Sequence, residues 1–186
     1  MSSGVTTETQ RWNIDSSHST VEFSVRHMMI STVKGYFGKI EGSVVAQDIQ
    51  DLTKGATIEA RIDVNTIDTR EPQRDEHLKS PDFFDAANHP TIEFRSKRIE
   101  RSGSNSYKLT GDLTIRGTTK EVTWDLTFEG SGRDPWGNER AAFHAETKIN
   151  RKDFGLQWNM VLETGGLLVG EEVRVSVDIE VVQQAA

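Results

Sequence analysis

Strict alternation of apolar and polar residues runs through most of this chain, and it constrains the fold more than any other feature. Residues 56–64 show it most clearly, because every second residue there is apolar and the residues between are Thr57, Glu59, Arg61 and Asp63. Successive side chains of a β-strand point to opposite faces, so this pattern is typical of a strand with one dry and one wet face. The sequence therefore predicts an all-β protein.

Eight segments carry this alternation, and most connections between them have hairpin length. We therefore predict antiparallel, mostly sequential strands that close into an up-and-down, lipocalin-like barrel without free edges. Gly35, Gly38 and Gly42 lie inside the second segment and predict the bends or bulges that curl a sheet. A two-layer sandwich is the competing architecture. The predicted strands are residues 18–27, 33–45, 56–64, 91–96, 107–116, 120–128, 140–149 and 173–181.

One segment, residues 74–96, breaks the alternation. Its first six residues are good helix formers, and Pro81 blocks a long helix. The segment also carries Leu78, Phe83 and Phe84, which need an apolar surface to pack against. We predict a short helix followed by a turn, and we expect this helical segment to cover one end of the barrel.

Length and composition bound the domain organisation and the partners. The 186 residues suit one domain, with a Ser/Thr-rich disordered tail over residues 1–10 and a single barrel domain over residues 11–183. The formal charge of -7 argues against a nucleic-acid partner, because binding to phosphates needs a basic face. The chain has no cysteine, which excludes disulfides and thiolate metal sites.

The first dozen residues lack the apolar core of a secretory signal, and no window has the apolar length that spans a bilayer. We therefore expect a cytoplasmic protein that does not span a membrane. The sequence leaves open whether the protein forms a homodimer.

A search for catalytic and metal-binding patterns gives a negative result. The five histidines, His18, His27, His77, His89 and His144, show neither the H-x-H nor the H-x-x-x-H spacing that places two metal ligands on one face. The chain contains no G-x-S-x-G elbow, P-loop or dinucleotide-type glycine pattern. We predict no catalytic residues, no metal site and no cofactor.

Periodicity does not decide whether the barrel is filled or hollow. An eight-stranded barrel is either packed with side chains or able to hold one small ligand. Large inward residues such as Phe94 and Trp124 would fill it, whereas small ones such as Ala60 and Ala145 leave room. A filled structural barrel and a ligand cavity therefore both remain open at this point.

Two polar groups have both a structural and a functional interpretation. His27 ends an apolar inward row, and it is either a hydrogen-bonded core histidine or a contact to a ligand head group at the cavity mouth. Arg74, Asp75 and His77 form either a capping and ion-pair network that fixes the helix or a contact to the polar end of an amphiphile.

A series of short motifs runs along residues 12–182. The motifs are W-x-I-D-x-x-H-S from Trp12, V-E-F-S-V-R-H from Val21, G-Y-F-G from Gly35, R-D-E-H-L from Arg74, F-F-D from Phe83, P-T-I-E-F from Pro90, L-T-I-R-G-T-T-K from Leu113, D-P-W-G-N from Asp134 and N-R-K-D-F-G-L from Asn150. Each motif alone is weak, but their order over nearly the whole chain is specific. Taken together, they resemble the YceI-like family of lipid-binding proteins.

The resemblance implies a barrel around a long apolar tunnel that holds polyisoprenoid chains, such as quinone tails, or similar amphiphiles, without enzymatic activity. We therefore expect a soluble carrier or store of such a lipid. An enzyme acting on a lipid-like substrate, with His27 or His77 as acid or base, is the alternative function. The expected ligand-binding residues are Phe23, Val25, His27, Phe37, Arg74, Leu78, Phe83, Phe84, Ile92, Phe94, Leu113, Ile115, Trp124, Leu126, Phe128 and Phe143.

Overall fold

The computed structural model of the protein describes residues 8–163 and 166–185. These residues form antiparallel strands and one α-helix, α1 (Pro72–Lys79), with short 3-10 helices at Ser16–His18, Val64–Thr66 and Arg151–Phe154. The strands are β1 (Gln10–Ile14), β2 (Thr20–His27), β3 (Ser31–Phe37), β4 (Ile40–Ala46), β5 (Thr57–Asp63), β6 (Ile67–Asp68), β7 (Thr91–Arg101), β8 (Ser106–Ile115), β9 (Thr118–Arg133), β10 (Glu139–Asn150) and β11 (Val169–Gln183).

The strands close into an antiparallel barrel. One edge of β11 pairs with β10, and its other edge pairs first with β2, at Val169 opposite His27, and then with β1, at Gln183 opposite Trp12. β1 and β2 therefore lie end to end and together form one strand of the wall. The next strand of the wall consists of β3 and β4, and the one after it of β5 and β6. The barrel therefore has eight wall positions, which confirms the predicted architecture and excludes the sandwich.

Glycines bend the barrel wall within residues 33–45, which the sequence predicts as one strand and the structure divides into β3 and β4. The predicted strand is interrupted after Phe37, and the backbone N–H of Gly38 donates to the Thr66 carbonyl at 3.1 Å. Gly42 has φ +150°, and a Cβ there would lie 2.1 Å from the carbonyl oxygen of Glu59. No larger residue fits that crossing of β4 and β5.

The helix starts two residues earlier than predicted because of its cap. The Glu71 carboxylate accepts a hydrogen bond from Gln73 N, and Pro72 occupies the first turn, where its missing N–H costs nothing. Behind the helix, Phe84 N donates to the Leu78 carbonyl at 2.9 Å and folds the following turn back onto it. The helical segment covers one end of the barrel, as predicted.

We name the two ends of the barrel by their connections. The helix end comprises residues 28–30, 69–90, 116–117, 151–163 and 166–168, and the hairpin end comprises residues 47–56, 102–105 and 134–138. This division follows from the register, since the antiparallel pairing fixes which turns share an end.

The first strand begins inside the segment that the sequence predicts as a disordered tail. Gln10, the last residue of the predicted tail, already begins β1, whereas residues 1–7 of that prediction lie outside the described residues. Within the described part of the chain, no helix combines the length and the apolar character needed to cross a membrane.

Candidate ligand-binding site

A cavity of about 200 Å³ runs inside the barrel. Leu52 lines it at the hairpin end, and Phe84 and Leu156 line it at the helix end. One water molecule needs only roughly 10–15 Å³ of such space, so this volume is far larger than a packing defect. The inward side chains leave this space unfilled, which argues against a fully packed barrel.

The lining is almost entirely hydrocarbon because the alternating strands present their apolar faces to it. On β2 the lining residues are Val21, Phe23 and Val25, and Glu93 and Arg151 are the charged members of the whole lining. An apolar void of this kind stays dry and favours an apolar ligand, because filling it removes hydrocarbon from water at no cost to buried polar groups.

Gly35 creates room for one of the aromatic lining residues. It pairs with Phe23 across β2 and β3, and a Cβ at this position would lie 2.2 Å from Phe23 Cζ. The end of the Phe23 ring therefore occupies the space that a side chain at position 35 would take.

Most of the residues predicted to bind a ligand line this cavity. Whether they contact a ligand stays a prediction, since the placement shows only that they face the same space. They are Phe23, Val25, Phe37, Leu78, Phe83, Phe84, Ile92, Phe94, Leu113, Ile115, Trp124, Leu126 and Phe143.

His27, Arg74 and Phe128 are not part of the lining. His27 is the last residue of β2, opposite Val169. Arg74 donates from Nε to Thr69 Oγ1 at 2.8 Å and from Nη2 to the Thr69 carbonyl at 2.7 Å, in agreement with the capping interpretation. The ring centroid of Phe128 lies 5.5 Å from that of Phe143. A ligand contact by these three residues stays a prediction.

The lining also contains residues that the sequence analysis did not assign to the site. The alternation places many of them on inward faces without showing that these faces border a void, whereas Leu52, Arg151, Phe154 and Leu156 come from connections without periodicity. The unassigned lining residues are Ile14, Val21, Ile40, Val44, Leu52, Ile58, Ala60, Ile62, Glu93, Leu109, Ala145, Ile149, Arg151, Phe154, Leu156, Val169, Val173, Val175, Val177 and Ile179.

Arg151 is a buried cation that organises the helix end. Its Nε donates to the Gly170 carbonyl at 2.7 Å, and its Nη1 donates to the carbonyls of Leu156 at 2.6 Å and Trp158 at 2.9 Å. Burial lowers the pKa of the guanidinium below its usual range. The carbonyls compensate the buried charge, and in return the connection between β10 and β11 is held against the cavity.

Aromatic contacts join the two connections that close the helix end. The ring of His77 meets those of Phe83 and Trp158 edge to face, at centroid distances of 5.1 Å and 4.7 Å. Its Nε2 lies 2.9 Å from Asp82 Oδ2. His77 does not line the cavity, so its position favours a packing role over that of an acid or base acting on a cavity ligand.

Trp124 adds an uncharged polar group to the strand walls. It lines the cavity next to Phe94, with 6.1 Å between the ring centroids, and its buried Nε1 has no hydrogen-bond partner among the described residues. An unpaired buried donor costs free energy that a ligand acceptor or a repacked side chain could recover.

Residues 8–163 and 166–185 contain no group of three or more His, Cys, Asp or Glu side chains placed to hold a metal ion. The chemistry that this site offers is therefore shape and hydrocarbon contact, with few polar groups.

Comparisons with known proteins point to one family. The sequence model of the YceI-like domain matches residues 12–181. A UPF0312 protein of Staphylococcus epidermidis is 36% identical over 171 residues, which are 91% of this chain and 96% of that protein.

Solved structures show the same barrel. The crystal structure of BcnA from Burkholderia cenocepacia has a TM-score of 0.77 at 24% identity and covers 90% of this chain and 98% of BcnA. A polyisoprenoid binding domain from Saccharophagus degradans, implicated in plant cell wall breakdown, has a TM-score of 0.69 at 12% identity and covers 93% and 98%. At these identities the likeness concerns the fold alone.

Proposed function

Because this chain belongs to the YceI-like domain family, we propose that it binds a polyisoprenoid or similar long-chain amphiphilic lipid and carries or stores that lipid. The continuous apolar cavity between Leu52 and Phe84 is the observation that supports this proposal most strongly. The structural relative from Saccharophagus degradans is described as a polyisoprenoid binding domain, which names a ligand class of matching chemistry.

The shape and chemistry of the cavity suit an extended chain. Burying about 400 Å² of hydrocarbon contributes roughly 10 kcal/mol before the costs of ordering the ligand. Tight binding therefore needs few polar contacts, and the scarcity of polar side chains in the lining fits such a ligand.

We propose binding without catalysis. His27 and His77, the candidates for an acid or base, both lie outside the cavity lining. Among the described residues three polar side chains line the cavity. Arg151 donates to backbone carbonyls, and the Trp124 indole is not an acid or base at neutral pH. Glu93 is the single carboxyl of the lining, which contains no histidine to pair with it. A cytoplasmic location stays a prediction, and whether the protein forms a homodimer stays open.

The direct test is extraction of the purified protein with organic solvent, followed by mass spectrometry, together with uptake of a prenyl quinone added from detergent. We expect a prenyl or other long-chain lipid in the extract and saturable uptake. An empty extract combined with no uptake would contradict the proposal.

A cavity-filling variant shows that uptake occurs inside the barrel. Ala145 lines the cavity, so Ala145→Phe should place a ring in the void and lower lipid uptake by about tenfold or more, since each lost methylene contact weakens binding. Ala142 lies on the same strand with the opposite orientation, and Ala142→Phe is the matched control. Equal uptake by both variants would place the ligand elsewhere.

A further inference from the structure

Large apolar side chains are exposed at the far edge of the helix end. Ile30 and Val161 are 77% and 76% exposed, and three methionines beside them are also exposed. We call Met28, Met29, Ile30, Met160 and Val161 the apolar tip. Among the described residues, the other large apolar side chain with comparable exposure is Trp136, which lies at the hairpin end.

The apolar tip is one continuous surface built from neighbouring backbone segments. Met28 N donates to the Leu168 carbonyl at 2.7 Å, and Leu168 N donates to the Met160 carbonyl at 2.9 Å, so the three segments lie side by side. Met29 covers Gly166, where a Cβ would lie 2.2 Å from Met29 Sδ. Exposed patches of contiguous apolar residues mark interaction surfaces more often than single exposed residues do.

The turn of the apolar tip uses residues that its backbone disfavours. Met28 has φ 51° and Met29 has φ 62°, and this left-handed pair is typical of hairpin turns with Asn-Gly or Gly-Gly. Methionine at both positions weakens the turn and also exposes apolar surface to water. Both effects reduce the stability of the isolated protein, and strained positions of this kind are typical of functional surfaces.

The apolar tip adjoins the wall of the lipid cavity. Val25 and Val169 line the cavity, and Val169 pairs with His27, the residue before Met28. Along β2 only two residues separate Val25 from Met28, and Leu168, which precedes Val169, is hydrogen-bonded to Met28 and Met160. A hydrocarbon chain leaving the barrel at this edge would pass from one apolar surface to the next.

We infer that the apolar tip enters the surface of a phospholipid bilayer, where the protein collects or delivers its cargo. This inference rests on the proposed function, because a long-chain lipid resides in bilayers and a carrier must meet one. Apolar side chains on such a tip can enter the boundary between head groups and acyl chains, to a depth of roughly 5–10 Å.

Arg26 supplies a positive charge that is complementary to the phosphates of a bilayer surface. Its Nη2 donates to the Met29 carbonyl and its Nη1 to Thr32 Oγ1, each at 3.2 Å, which holds the guanidinium directly behind the apolar tip. In the described part of the chain this guanidinium forms no ion pair with a carboxylate. When the apolar tip is inserted, Arg26 lies at the level of the lipid phosphates.

The test measures flotation of the purified full chain with vesicles of phosphatidylcholine, alone and mixed with phosphatidylglycerol. The variant Met28→Asn/Met29→Gly supplies residues that the left-handed turn prefers, so it retains the fold while removing apolar surface. A second variant, Met160→Ser/Val161→Ser, changes the other side of the apolar tip. Trp136→Ser, at the hairpin end, removes an isolated exposed aromatic and is the matched control.

We expect wild-type protein and Trp136→Ser to float equally, and both tip variants to bind vesicles about tenfold more weakly or worse. The rate of prenyl-quinone transfer from vesicles should fall in parallel, while uptake of the same quinone from detergent stays unchanged. No flotation of the wild-type chain, together with equal transfer rates for all variants, would overturn the inference.

Two further outcomes separate the alternatives. If the tip variants change only the sedimentation of the protein, the apolar tip is a contact between two copies of the chain, and the bilayer inference is wrong. If the wild-type chain floats but takes up no lipid from vesicles or detergent, the proposed function fails while the bilayer contact stands.

Discussion

The two ends of the barrel are closed by different kinds of contact. At the hairpin end, Arg140 joins three carboxylates from separate parts of the chain, with distances of 2.7 Å to Asp134, 3.0 Å to Asp15 and 3.0 Å to Glu180. At the helix end, the connections meet through rings and aliphatic side chains, such as those of Phe83 and Trp158. Ion pairs and hydrogen bonds dominate at the hairpin end, whereas aromatic and aliphatic contacts dominate at the helix end, where Arg151 is the main polar group.

The difference indicates which end opens. Directional hydrogen bonds lose most of their strength after a small displacement, whereas apolar surfaces can slide while remaining in contact. Around Leu52 the hairpin end has further polar links, since Arg101 pairs with Asp51 at 3.0 Å and Tyr107 Oη donates to the Gln50 carbonyl at 3.2 Å. We therefore expect the hairpin end to be fixed and the helix end to admit the lipid.

Arg151 breaks this contrast, because it is a polar group that organises the apolar end. Arg151→Met keeps the side-chain length but leaves the carbonyls of Gly170, Leu156 and Trp158 without their donor. We expect the free energy of unfolding to fall by about 4 kcal/mol, measured by urea denaturation. Arg151→Lys is the control, and it should recover only part of the loss because one ammonium cannot reach all three carbonyls. A loss near zero would show that this connection is not held in place by Arg151.

A matched pair of truncations tests which end opens. Leu52→Ala removes a fully buried side chain at the hairpin end, and we expect a loss of about 3 kcal/mol in unfolding free energy with an unchanged rate of lipid release. Phe84→Ala removes a half-buried ring at the helix end, and we expect a smaller loss of about 2 kcal/mol but several-fold faster release. Stopped-flow transfer of a fluorescent prenyl lipid measures the rates. Faster release from Leu52→Ala than from Phe84→Ala would reverse the assignment of the entrance.

The sequence predicted the fold well because the fold depends on a local signal. Alternation placed eight wall strands and their inward faces, and Leu78, Phe83 and Phe84 were correctly assigned to the cover of one end. It could not place Leu52 or Leu156 at the cavity, because both lie in connections without periodicity and reach the barrel only through its closure. Arg151 had no sequence signal beyond its place in a family motif, since a buried arginine is recognised by its carbonyl partners.

Acid unfolding tests the hairpin end. The Arg140 guanidinium is the main cause that lowers the pKa of Asp134 from 3.8 to about 2, and the Ser17 hydroxyl, followed by His18 and Arg140, holds the pKa of Asp15 well below its usual range. The folded-state pKa values of both carboxyls are lower than the unfolded ones. Their contribution to the free energy of unfolding is therefore fully present above about pH 4, and it is lost as the pH falls towards 2.

Arg140→Ala should therefore lower Tm at neutral pH, by less than Leu52→Ala does, and the difference from wild type should shrink below about pH 4. Scanning calorimetry across this range measures it. Arg133→Ala removes an exposed partner of Glu139 on the same hairpin and should leave the Tm profile nearly unchanged. A difference between wild type and Arg140→Ala that does not vary with pH would show that the network contributes through packing and not through charge.

Trp124 lies on the wall between the two ends, and its replacement should have the smallest effect. Trp124→Phe loses indole contacts but also removes a buried N–H without an acceptor, whose cost is about 1–3 kcal/mol. We expect the two effects to offset each other, with a change of less than about 1 kcal/mol in unfolding free energy for lipid-free protein. Phe94→Leu, which truncates the neighbouring ring without relieving an unpaired donor, should cost more. If Trp124→Phe costs as much as Leu52→Ala, then the indole has an acceptor in solution and the wall between the ends is not purely apolar.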